Sequence, residues 1–300
     1  MRVAVIGGSG FIGSHLVDKL LQSNHDVTVY DIMKPHNDVR HILIDIMDFH
    51  RTVVALAGNY DVYYVLAAMA NVNDIYKNPL ETAIVNFQGM VNILEAVRRY
   101  GGRSIFASTV WVYMLADQTE VDEHTPLLVQ NVNHTYTASK IGAELYVQSY
   151  NKLYDLEFTI LRYGIPYGPR GRDGTVIANF VKKALKKQPI EIHGDGSQYR
   201  SFIFVEDLAQ GNVAVLQDNA KNQIYNLDGL RPITIKEVAE TVSKLIPGTE
   251  VQYIDQRTGD FEGRIASNQK ASEELGWSPQ VDLEEGLNKY IEWYRSANNL

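Results

Sequence analysis

The sequence predicts an open, doubly wound α/β fold followed by a smaller, mixed α/β region, and three observations carry the prediction. Residues 1–163 alternate strand-like with helix-like segments. The strand-like segments are apolar and β-branched without polar alternation, as expected where both faces of a parallel sheet are covered. The first of them runs through a glycine-rich turn into an amphipathic stretch, the βα unit from which such sheets are built.

In chain order, the strand candidates are "RVAVIGG" (2–8), "HDVTVYD" (25–31), "HILIDI" (41–46), "DVYYVLAA" (61–68), "RSIFAST" (103–109) and "EFTILRY" (157–163). Helical periodicity marks "NFQGMVNILEAVRRY" (86–100) and "TYTASKIGAELYVQSYNKLY" (135–154) between them. At "YGIPYGPRGRDG" (163–174) the texture shifts to glycine, proline and charge, which sets a domain boundary. Residues 1–164 form the first domain, to which segments around 201–229 are expected to return, and residues 165–300 form the second. Beyond the boundary, Thr234 with Glu237 and Asp282 with Glu285 have capping-box spacing, and Gly276 closes the helix in "ASEELG".

Composition narrows the function. The 300-residue chain is 45% hydrophobic and 21% charged, as in soluble globular enzymes. It shows neither a signal peptide nor an apolar run of the roughly 18 residues a membrane span needs. Cysteine is absent, which removes disulfides, thiolate catalysis and thiolate zinc sites and agrees with a cytoplasmic address. A net charge of -8 argues against a nucleic-acid partner, and the basic run "VKKALKK" (181–187) has the spacing of a solvated helix face. The eight histidines are dispersed without ligand spacing, so no metal site is expected.

"VAVIGGSGFIGSHL" (3–16) leads from a strand through Gly7, Gly8, Gly10 and Gly13 into a helix. These glycines permit a tight turn and let backbone N–H groups approach a pyrophosphate. Asp31 closes the next strand, where a carboxylate accepts hydrogen bonds from ribose hydroxyls and repels a 2′-phosphate; this selects NAD over NADP. "LIDIMD" (43–48) places Asp45 at the end of the third strand, where its side chain and the Ile46 backbone face an adenine.

In "YTASK" (136–140), Tyr136 and Lys140 stand four apart, about 40° around a helix, and project to one side. Abstracting a carbinol proton needs a base, and a phenol with a free pKa near 10 is a poor one at neutral pH. Lowering it by about three pH units requires roughly 4 kcal/mol, which a neighbouring ammonium and a positive nicotinamide supply in a dry site. On their own, such pairs are common surface features.

Glycine turn, strand-end Asp, hydroxyl-ending strand and Y-x-x-x-K occur here in order. With "VLAA" (65–68), "VNFQGMVNILEA" (85–96), "YGPR" (167–170), "GDGSQYRSFIFVEDLA" (194–209), "RTGD" (257–260) and "ELGWSP" (274–279), the chain resembles the extended short-chain dehydrogenases/reductases, specifically the NAD-dependent epimerases and dehydratases of nucleotide sugars. The resemblance covers nearly the whole chain. It implies a Rossmann-type first domain, a nucleotide-sugar-binding second domain, and NAD held by Gly7, Gly10, Phe11, Ile12, Gly13, Asp31, Asp45, Ile46, Leu66, Ala67, Ala68, Tyr136 and Lys140. Tyr136 is then the base, Lys140 its tuner and Thr109 the hydroxyl partner that bonds the substrate O4, while Ser108 is structural and Asn86 supports the sheet edge. Arg200 and Arg257 match diphosphate-binding arginines. The resemblance further implies a UDP- or dTDP-sugar substrate and a homodimer formed through helices 86–100 and 135–154.

Val110 and Trp111 then separate reaction types. The family's 4,6-dehydratases follow the catalytic Thr with an acidic pair, and its decarboxylases usually keep the Glu of that pair. Neither residue here moves a proton, so the resemblance implies a 4-epimerase: Tyr136 takes the O4 proton, NAD takes the C4 hydride, the 4-keto sugar turns over, and hydride returns to the other face. A net C4 dehydrogenase or reductase, a dehydratase with its acid elsewhere, and a non-catalytic dinucleotide-binding protein are the alternatives. Two departures from the family pattern touch the substrate side: Ile165 stands where relatives have an Asn at the diphosphate, and Met114 replaces the glycine closing "VYG".

Overall fold

The computed structural model describes residues 1–255 and 263–299. Its centre is a seven-stranded sheet of β1 (Arg2–Ile6), β2 (Asp26–Asp31), β3 (Arg40–Leu43), β4 (Val62–Val65), β5 (Arg103–Thr109), β6 (Phe158–Tyr163) and β7 (Gln223–Leu227). The spatial order is β7-β6-β5-β4-β1-β2-β3, and every pairing is parallel. Because side chains alternate along a strand, the unbroken apolar runs feed two cores. Val3 and Val5 join Leu16, Leu20 and Leu208 on one face, whereas Ala4 and Ile6 join Ile93, Leu94 and Val147 on the other. Strand order reverses at β1, so the ends of β1, β2 and β4 border the crevice in which such sheets take ligands.

Two expected strands are shorter than their apolar runs. β3 ends at Leu43, so Asp45 lies past the strand rather than at its end. The physical cause is local: the Asp45 carboxylate accepts from Met47 N at 3.0 Å, and its carbonyl accepts from Asp48 N at 3.0 Å, a turn that competes with the ladder. Leu66, Ala67 and Ala68 likewise follow the end of β4 as loop.

Residues 201–229 divide between structures. Phe202–Phe204 pairs with Ile165–Tyr167, whereas the Val205–Ala214 helix packs on the Phe11–Gln22 helix and β7 extends the central sheet beside β6. Residues 271–277 also return to the sheet, since Ala271, Leu275 and Trp277 share a core with Tyr225 and Leu227. A third cluster includes Phe180, Ile190, Val238, Leu287 and Tyr290, and a fourth gathers Val112, Tyr113, Val121, Ile141 and Ala266. Thr234 caps its helix through Glu237 N at 3.0 Å, but the Glu237 side chain turns to Arg231 instead of back to the cap. Asp282 accepts from Glu285 N at 2.9 Å, and Gly276 ends its helix at φ +66. No helix among the described residues is long and apolar enough to cross a membrane.

Candidate active site

At the crevice, close packing makes the glycines necessary. Gly7 has φ +88, and a Cβ there would lie 2.4 Å from Ala67 N; at Gly13 it would lie 2.2 Å from the Gly7 carbonyl oxygen. The Phe11–Gln22 helix therefore starts hard against the turn. Gly10 occupies its N-cap without a side-chain cap, leaving the first amides suited to a pyrophosphate oxygen. Asp31 is pinned at the end of β2, its two oxygens accepting from Ser9 N and Met33 N, both at 3.0 Å. A carboxylate has about four acceptor directions, so it retains capacity for ribose hydroxyls.

The opposite wall is equally fixed. Leu66 N and Ala67 N both donate to the Ile6 carbonyl, holding 66–68 against the glycine turn. Asn86 sits in a π-helical turn, Ile84–Gln88, and its amide accepts from Met69 N at 2.7 Å while donating to Met69 O at 2.9 Å. Such turns interrupt helices frequently at functional positions. Ile46 is buried against Gly89, while Asp45 is exposed. Phe11 is in edge contact with His15, and Ile12 packs on the core beneath the turn. His15 Nε2 in turn meets the Pro169 carbonyl at 2.8 Å and Arg170 pairs with Asp18, so "YGPR" ties the cofactor helix to the second half of the chain.

Thr109 ends β5, and the Thr135–Tyr154 helix carries Tyr136 and Lys140 past it. The structure brings these three residues together. The Thr109 hydroxyl lies beside the Tyr136 phenol, whose ionised form it favours, and its Oγ1 accepts from Trp111 N at 3.2 Å. Lys140 Nζ donates to the Ala107 carbonyl at 2.8 Å and stands 5.8 Å from the Tyr136 ring centre. Burial pushes Tyr136 up to about 12, opposed by the Arg172 cation and the Thr109 hydroxyl. Burial also pushes Lys140 down to about 8, opposed by Glu144. Bringing the phenol from about 12 to neutral pH takes about 7 kcal/mol at 1.36 kcal/mol per pH unit, more than the free phenol would need.

Beneath this trio runs a buried network that the sequence did not single out. Glu144 accepts from Arg162 Nε at 3.1 Å and Nη2 at 2.7 Å, and from Ser108 Oγ at 2.5 Å. Arg162 Nη1 donates to the Tyr113 hydroxyl at 2.6 Å, which donates to Asn226 at 3.0 Å. Glu144 was recognisable as the residue four after Lys140 on the same helix face. Arg172 carried no comparable signal: it arrives from the loop after "YGPR" and donates to the Ala70 carbonyl at 2.6 Å. His134 and Trp111 complete an edge-to-face cluster with Tyr136, at ring separations of 6.2 and 6.4 Å.

A cavity of about 960 Å³ opens from Trp111 and His134 and is lined further by Met114, Ile165, Arg172 and Arg200. Arg200 Nη1 donates to the Tyr199 carbonyl at 2.7 Å. Arg257 lies outside the described residues. Comparison with known proteins decides the family, because the model of the NAD dependent epimerase/dehydratase family matches residues 3–228.

The chain belongs to this family.

Members similar to it differ in chemistry. A Methanocaldococcus jannaschii protein, provisionally named a UDP-glucose 4-epimerase, is 35% identical over 99% of each chain. UDP-glucuronic acid decarboxylase 1 of Xenopus tropicalis is 33% identical over 99% of this chain and 74% of its own length. The crystal structure of the UDP-glucose 4-epimerase of Thermus thermophilus in complex with NAD is 31% identical, has a TM-score of 0.89, and is matched over 99% of this chain and 100% of its own. The cofactor of this epimerase/dehydratase-family chain is NAD.

Proposed function

We propose that the protein is an NAD-dependent nucleotide-diphosphate-sugar 4-epimerase. One observation carries this reading: a hydroxyl, a phenol and an ammonium converge at Thr109, Tyr136 and Lys140, while the positions after Thr109 are Val110 and Trp111, which move no proton. Elimination of water needs further acid and base groups, whereas exchanging hydrogen at C4 needs one base. NAD, when bound, supplies the hydride acceptor and donor for that carbon.

Tyr136 takes the O4 proton and later returns it, with Thr109 holding O4. Lys140 stays where its charge favours the phenolate, and the Arg172 cation adds to that pull. In this reading Asp31 binds the adenosine ribose, while Asp45 and Ile46 face the adenine. Arg200 and Arg257 take the diphosphate of a UDP- or dTDP-sugar. Residues 1–164 with parts of 201–229 hold NAD, and the rest of the chain holds the sugar nucleotide. A homodimer through the Gly89–Tyr100 and Thr135–Tyr154 helices is supported by exposed Leu145, Tyr146, Leu153 and Tyr154 on the second of them.

The test is incubation of purified protein with UDP- and dTDP-sugars without added nucleotide, followed by NMR. Appearance of a C4 epimer without net nucleotide reduction is expected, and Tyr136→Phe should lower the rate by about 10²–10⁴-fold. A 4-keto-6-deoxy product, or a pentose formed with loss of carbon dioxide, would overturn the assignment. An unchanged rate in Tyr136→Phe would move the chain towards a non-catalytic role.

A further inference from the structure

Lys140 and Glu144 stand one helical turn apart on the Thr135–Tyr154 helix, and both are buried, at 2% and 0% exposure. They bond to consecutive residues of β5. Lys140 Nζ donates to the Ala107 carbonyl at 2.8 Å, and Ser108 Oγ donates to Glu144 Oε1 at 2.5 Å. The next residue of that strand is Thr109, so these two bonds tie the end of β5 to the helix that carries Tyr136.

The charges around Lys140 are few. β5 offers it the Phe106 ring, 4.8 Å from Nζ, and the Ala107 carbonyl, neither of which titrates. The Ile84–Gln88 turn contributes the Asn86 amide, bonded to Ser139. Its own helix supplies the Tyr136 phenol and Glu144. The neighbouring cations are committed: Arg162 on β6 to Glu144 and the Tyr113 hydroxyl, and Arg172 to the Ala70 carbonyl. Burial drives the ammonium towards its neutral form, and Glu144 is the charge that opposes it. Three donor atoms meet the two Glu144 oxygens, two from Arg162 and one from Ser108, which fixes the carboxylate in place.

We propose that Glu144 is a positioning residue for the reaction: clamped by Arg162 and Ser108, it supplies the counter-charge that keeps Lys140 an ammonium beside the Tyr136 phenol. This rests on Tyr136 being the base of the proposed epimerase. A cation 5.8 Å from the phenol ring helps it ionise only where that cation keeps its own proton. Glu144 therefore sets the alkaline end of the range in which the base works. An opposite charge one helical turn away, at about 5–6 Å between Cβ atoms, moves a titration by about 1–3 pH units. Lys140, pushed down to about 8 with Glu144 present, should fall to about 7 or lower without it.

The experiment is an NMR titration of the NAD-loaded protein carrying isotope-labelled lysine, with the Lys140 signal identified by its loss in Lys140→Met. Glu144→Gln alone strands the Arg162 guanidinium, so it is combined with Arg162→Met, which removes both members of the buried pair. The Lys140 midpoint of this double variant is expected about one pH unit or more below that of the wild type, whereas Glu144→Asp, which keeps the charge, should stay within about half a unit. Epimerisation followed from about pH 6 to 9 should show the alkaline limb of kcat displaced with the midpoint, about fivefold lower at pH 8, with a smaller change in KM. A midpoint that does not move in the double variant, or that falls as far in Glu144→Asp, overturns the proposal, and so does a displaced midpoint with an unmoved alkaline limb. A wild-type midpoint below about 7 overturns it without any variant, since the ammonium would not survive at neutral pH. Should the wild type epimerise no sugar nucleotide, the 4-epimerase assignment falls, and the midpoints alone decide whether Glu144 holds the charge of Lys140.

Discussion

Replacing Lys140 by methionine should make the protein more stable while removing its activity. Lys140 is 2% exposed, and its pKa falls from 10.5 to about 8, so holding it charged at neutral pH costs about 3 kcal/mol at 1.36 kcal/mol per pH unit. Methionine has similar length and no charge to desolvate. Its introduction leaves the Ala107 carbonyl without its donor, which costs about 1 kcal/mol, and leaves Glu144 paired with Arg162 and Ser108. The net gain is about 2 kcal/mol at pH 7. The pH dependence is the sharper readout. Because the folded pKa lies below the unfolded one, Lys140 binds more protons in the unfolded chain between about pH 8 and 10.5, and its own contribution to stability rises with pH across that window. The advantage of Lys140→Met should therefore shrink as pH is raised from about 8 towards 10, a difference between two proteins from which the titration of their shared tyrosines largely cancels. Urea unfolding followed by tryptophan fluorescence and circular dichroism measures both. A variant less stable than wild type at pH 7, or a stability difference between the two that stays constant between about pH 8 and 10, would refute the reasoning.

Glu144→Gln should be destabilising by about 3–5 kcal/mol in the same assay, because it strands the Arg162 guanidinium, whose side chain is 4% exposed, without a counter-charge. Gly13→Ala should fold, as judged by circular dichroism, yet retain little NAD on purification, since the new methyl can be housed only by displacing the Gly7 carbonyl and the turn that cradles the phosphates. Absorbance of the nucleotide released on denaturation measures this. Thr234→Ala should lose about 1 kcal/mol of stability with activity unchanged, because it removes a one-sided helix cap from Glu237 N.

What the sequence disclosed follows from the range of the interactions involved. The glycine turn, Asp31 and the Tyr136–Lys140 spacing are local, and each is dictated by a βα unit or a helix turn visible within a few residues. The parallel sheet was legible because burial on both faces leaves unbroken apolar runs such as "VAVI" and "VYYV". β3 was overextended because Ile44 and Ile46 are buried without being in the sheet, and burial alone does not separate strand from loop. Arg172 escaped because its meeting with Ala70 and Tyr136 is made by two loops distant in sequence, each of unremarkable composition. Arg162 reads as one residue of an apolar strand, and only the register of β5 beside β6, with Ser108 opposite it, places it under the catalytic trio.

The position of β7 bears on how the chain is made. β6 pairs with residues 223–227, so a growing polypeptide that has just released residue 164 from the ribosome carries a sheet whose Phe158–Tyr163 edge is bare. Exposed edges of this kind template wrong pairings. The intervening segment, including the Val205–Ala214 helix that packs on the Phe11–Gln22 helix, must be synthesised before that edge is covered. A fragment ending at residue 164 is thus an incomplete folding unit, and fusions or truncations of this enzyme need to keep residue 227 with the first half.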